Sequence, residues 1–157
     1  MRIAFTADEP KGLDSVISYH FGRCPYFVIV ELDGRDVKKI ENIENPSAES
    51  HAVGELPQLM NQLGVNVIVT GGMGPKAQEY FAQYGIQPIT GAYGKVRDVL
   101  EEIVEGTLRE TPAVSEERPS HVEGENEEIR RLKLEVRELR REVAELKSLI
   151  KEIMRGR

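Results

Sequence analysis

The stretch VNVIVTGGMGPKAQEYF, residues 65–81, constrains the fold more than any other. Residues 65–70 are a nearly unbroken apolar run, as expected for a strand buried on both faces in the middle of a sheet. Gly71, Gly72 and Gly74 follow, and Pro75 suits the first turn of a helix. That helix runs to about Tyr84 and stops at Gly85. A strand that turns directly into a helix needs a parallel neighbour and a crossover, so the chain must contain an α/β sheet.

The other elements fit around this unit. Residues 2–7 are an apolar strand ending at Asp8-Glu9-Pro10. Residues 26–32 form a second strand, and Asp33-Gly34 turns it into a third over 36–44. Asn45-Pro46-Ser47 stops that strand and offers a cap to a helix reaching Leu63, with Pro57 marking a kink or a late start. A short strand at 86–89 and an amphipathic helix at 95–105 complete the order β-β-β-α-β-α-β-α. The prediction is a mixed sheet with helices on its faces.

Three segments divide the 157 residues: a globular domain over 1–108, an exposed linker over 109–124, and a helix over 125–157. The helix carries a heptad. Ile129, Val136, Val143 and Ile150 fall at a; Leu132, Leu139, Leu146 and Ile153 fall at d. β-Branched residues at a with mostly Leu at d favour a parallel two-stranded coiled coil. Glu128, Glu135 and Glu142 at g face Lys133, Arg140 and Lys147 at e of a parallel partner, whereas antiparallel pairing opposes like charges. A parallel homodimer through 129–153 is therefore expected; the alternative is a helix that folds back on its own domain.

Composition excludes several classes. Residues 1–110 hold 10 Lys/Arg against 16 Asp/Glu, an acidic body unsuited to binding nucleic acid. No apolar run reaches the ~18 residues that cross a membrane, and the N-terminus reads as a strand and not a signal peptide. A single cysteine fits a reducing cytoplasm.

Chemistry concentrates in three places. The loop over 8–25 is long for a connection between adjacent strands and holds HFGRCPYF, with His20, Gly22 and Cys24. An imidazole and a thiol suit zinc, copper or an iron–sulfur species, although His20 could equally cap the loop and Cys24 fill the core. The GGMGP turn offers a helix N-terminus to an anion, supported by Lys76, with the Met73 thioether at its tip. NPSAESH places His51 near the start of the first helix, or simply in solvent. At one end of an open sheet these loops can share a cleft. His20, Cys24, His51 and Met73, lined by glycine backbone, describe a site for a soft, anionic metal–sulfur cluster. No group of carboxylates is placed for two-metal hydrolysis.

The stretches SYHFGRCPYF (18–27), ENPSAESHAVGELPQLM (44–60), LGVNVIVTGGMGPKAQEYF (63–81) and YGIQPI (84–89) resemble the dinitrogenase iron-molybdenum cofactor biosynthesis family, the NifX/NafY-type domain. The resemblance implies a ribonuclease H-like α/β fold. It implies non-enzymatic binding, carrying or chaperoning of an iron–molybdenum cofactor precursor or other iron–sulfur or molybdenum-containing cluster, exchanged with a donor or acceptor protein. His20 matches the family's HFG histidine, His51 its helix-start histidine, and Gly71–Gly74 its GGMG loop. Dimerisation would let two protomers share one cluster. The alternative is a coiled-coil assembly or regulatory module whose α/β domain senses a small anionic ligand without metal.

Overall fold

The computed structural model describes residues 1–46, 54–106 and 127–156. The expected linker, His51 and the expected cap at Ser47 lie outside the described residues. Five strands form one mixed sheet: β1 (Arg2–Ala7), β2 (Tyr26–Asp33), β3 (Asp36–Glu44), β4 (Val67–Val69) and β5 (Gln87–Ile89). Their order is β3-β2-β1-β4-β5. β1–β2 and β2–β3 pair antiparallel, whereas β1–β4 and β4–β5 pair parallel. The middle position belongs to β1. The 65–70 run is an interior strand trimmed to three residues, and its parallel partner is β1, with Ile3 opposite Val67 and Phe5 opposite Val69.

Strand alternation sorts side chains into two cores. Ile3, Phe5, Val28, Val30, Val69 and Ile89 pack on one face against α3 (Val96–Glu105) through Val96, Val99 and Leu100. Ala4, Phe27, Ile29 and Ile68 face the other way, onto α1 (Glu55–Gln62) and α2 (Pro75–Gln83). There Leu56, Met60 and Phe81 close the layer. α1 begins late, at Glu55, so Pro57 lies in its first turn, where it removes no intrahelical bond. Gly54 precedes it at a φ of 88°, a left-handed conformation natural to glycine.

α4 (Glu127–Arg155) is a continuous 29-residue helix. It does fold back on its own domain, as a layer outside α3, but not through its apolar seam. From Arg140 onward its least exposed residues are Arg140, Ala144, Lys147, Ser148 and Lys151, a stripe with helical spacing. No helix among the described residues is long and apolar enough to cross a membrane.

Candidate functional site

β1 and β4 run parallel, so the loops that follow them leave the same edge of the sheet. Each strand is followed or ended by a threonine-bearing backbone. Thr6 Oγ1 lies 3.0 Å from Ser18 O and 3.0 Å from Thr70 Oγ1, all buried. The Ser18 amide donates to Thr6 O at 2.8 Å. This hydroxyl pair pins the 18–21 segment beside the glycine turn. There the two loops zip together: the Gly71 amide donates to Ser18 O at 3.0 Å and the Phe21 amide to Gly72 O at 3.1 Å. His20 and Gly72 form a parallel bridge. Gly71 is required by closeness, because a Cβ there would lie 2.8 Å from Tyr19 Cα. Its backbone φ is not in the left-handed region.

The bridge brings HFG and GGMG into one backbone platform. His20 is exposed on it, edge-on to the Tyr19 ring at 4.9 Å between centroids. Gly22 and Gly74 have open space where a side chain would begin. Gly74 is the N-cap of α2 and makes no side-chain cap bond, and Lys76 in the first turn is exposed. The platform therefore combines an imidazole, glycine backbone and the positive end of a helix.

Cys24 and Met73 are placed differently from the sequence expectation. Both are buried in the second core with Phe21, Phe27 and Phe81. Met73 is 2% exposed and not at a tip. Its side chain turns inward, where the flexible apolar thioether helps fill the second core. The Cys24 thiol donates to Phe21 O at 3.2 Å. Burial pushes this thiol well above the ordinary cysteine range, with Asn45 opposing. It is thus a neutral packing group that sets the loop from beneath, while His20 occupies the surface.

Asn45 has a role that sequence spacing did not suggest. Read in sequence only as part of the Asn45-Pro46-Ser47 strand stop, it reaches back to the loop: its amide nitrogen donates to Cys24 O at 2.8 Å and Gly22 O at 3.2 Å. Thr6 and Thr70 were also missed. Their signal is a hydroxyl at the C-terminal end of each of two apolar strands, legible only once those strands are known to be neighbours. Among the described residues, no group of three or more His, Cys, Asp or Glu could hold a metal ion.

Asp8 lies beside this platform at the end of β1. Its side chain is 4% exposed, 3.9 Å from Arg140 of α4. Burial raises its carboxyl above the ordinary value, and the Arg140 and Arg137 guanidiniums oppose that rise.

A five-stranded mixed sheet with a two-loop platform at one edge defines a small α/β domain that brings glycine backbone and one exposed imidazole together. The chain belongs to the dinitrogenase iron-molybdenum cofactor family, whose model matches residues 1–106. A protein of Methanocaldococcus jannaschii, MJ0580, is 34% identical over 110 residues, covering 69% of this chain and 89% of that protein. The crystal structure of PH0822 is similar with a TM-score of 0.65 and 38% identity, over 71% of this chain and 96% of that one. The apo form of the orange protein from Desulfovibrio gigas is similar with a TM-score of 0.60 and 29% identity, over 71% and 93% of the two chains. All three likenesses cover about the extent of the α/β domain.

Proposed function

We propose that this protein binds and carries, without catalysis, an iron–molybdenum cofactor precursor or a related metal–sulfur cluster in the cytoplasm. The observation that carries the reading is the bridge between His20 and Gly72, which places an exposed imidazole on a glycine platform in a chain of this family. A cluster is cargo here. An imidazole suits its metal ions, and backbone amides with the α2 N-terminus suit its anionic sulfur shell. So few protein ligands favour a cargo that is held and then passed on, and a donor or acceptor protein would complete the exchange. Cys24 and Met73 support the platform from the core and need not touch the cargo.

The test is an anaerobic titration of the full chain with tetrathiomolybdate or a preformed iron–sulfur cluster, following visible charge-transfer absorption. Saturable absorption is expected, with His20→Ala weakening binding about tenfold or more, which corresponds to ~1.4 kcal/mol. Cys24→Ser is expected to retain the wild-type spectrum. Absence of saturable absorption in the wild-type chain would overturn the reading. It would favour the assembly module that senses a small anion, tested by the same titration with inorganic phosphate.

A further inference from the structure

α4 is engaged on one side and bare on another. The ion pairs and hydrogen bonds that seat it on the domain from Arg140 onward use the e, b and f positions of the heptad. Arg141 pairs with Glu9 at 2.6 Å, and Lys147 and Lys151 pair with Glu102 at 3.2 and 2.7 Å. Ser148 donates to Asp98 and Arg155 pairs with Glu101. The Lys147 ammonium also donates to Tyr93 O at 2.7 Å and stands 4.2 Å over the Tyr93 ring. Gly94 makes room for this lysine, since a Cβ there would meet Lys147 Cδ at 2.9 Å. Ala144, on the same stripe, is wholly buried.

From Leu132 onward the apolar seam is turned away from the domain. Leu132, Val136, Leu139, Val143, Leu146, Ile150 and Ile153 are 48–58% exposed. At ~100° per residue, the e-b-f stripe is centred roughly 130° around the helix from the a/d seam. One helix can therefore bind its domain and a second helix at once.

We propose that both faces work together: the e-b-f stripe clamps the domain while the a/d seam pairs in parallel with the same seam of a second copy of this chain. Charge argues for that occupant. Glu128 of one copy meets Lys133 of the other, and no such match exists in antiparallel register. Arg140 and Lys147 stand at the border of the two faces, bound to Asp8 and Glu102 of their own domain and flanked by Glu135 and Glu142 of the second copy. The two-fold axis along such a coil sends the two clamped domains to opposite flanks. The width of two helices, roughly 20 Å, then lies between the two domains. Each domain holds its own ligand, contrary to the expectation that two protomers share one.

The test uses the full chain and does not depend on any ligand. Light scattering at micromolar concentration is expected to give twice the 17.7 kDa of one chain. Leu139→Glu with Leu146→Glu is expected to give a monomer with an unchanged domain NMR fingerprint. Arg141→Glu with Lys151→Glu is expected to remain dimeric while shifting the resonances around Glu9 and Glu102. Leu132→Cys reports direction with the native seam otherwise intact: oxidation links it to itself in a parallel dimer, with wild type as the control because Cys24 is buried. A wild-type monomer, a trimer or larger species, a dimer that survives the seam substitutions, or no Leu132→Cys self-link in a dimer would each overturn the proposal. So would a dimer lost on reversing the Arg141 and Lys151 charges.

Discussion

Cys24 is at zero exposure, and its neighbours are aromatic. A thiol there stays protonated in the folded chain well past the pH at which an exposed one ionises. The sign follows: the folded state keeps a proton that the unfolded state releases, so stability is full below the ordinary cysteine value of 9.0 and falls as pH rises above it. Native protein is therefore expected to resist Ellman's reagent up to pH 9, whereas denatured protein reacts as an ordinary thiol. Rapid native labelling would refute this placement. Cys24→Ala is expected to flatten the alkaline decline in melting temperature. Gly71 makes a different point. Its replacement by Ala forces a Cβ against the Tyr19 backbone, which cannot rotate away. We expect a loss of about 1–3 kcal/mol in chemical denaturation. The same change should weaken the titration with thiomolybdate, because the two loops would separate. A neutral effect on both measurements would show that the platform tolerates a wider gap.

At the scale of elements, what was legible depended on the range of the signal. Strand 2–7, the Asp33-Gly34 hairpin and the helix after Pro75 follow from local periodicity and turn chemistry, and each appears within a few residues of its expected bounds. The start of α1 at Glu55 was legible only as one of two readings, a late start at Pro57 or a kink there, because a proline fits a first turn and a kink alike. Met73 was misplaced for a related reason: sequence alone does not say which side of a glycine turn faces a core. The heptad of α4 was plain from its seven-residue repeat. Its second face was not, since Lys147 reads from sequence only as a flank partner of Glu142, and Arg141 and Lys151 carry no signal until Glu9 and Glu102 are seen opposite them. Being ionic and partly exposed, that clasp should respond to salt. Raising NaCl from about 0.05 to 0.5 M, across which the Debye length shrinks several-fold, should move the Ser148 and Glu102 resonances toward their undocked positions. Resonances of the apolar seam should hold. Movement of both sets together would mean that the two faces are not independent.

For the whole molecule, the family match covers the α/β domain, and the proposed platform lies at the C-terminal ends of β1 and β4. Histidine 20 was legible as a candidate because HFG sits in an overlong loop. Its partnership with Gly72 was not, because that contact spans 52 positions of sequence and exists only through the β1–β4 register. This long-range bridge bears on the order of events in the life of the chain. The β1–β2–β3 meander can form from the first 44 residues, but the platform needs β4 to arrive beside β1, and distant pairings are slow to close. A nascent chain displays its histidine early and its glycine turn late. If the platform is the seat proposed above, loading must wait for the fold, and an unfinished chain offers a reactive cluster no seat from which it could be lost.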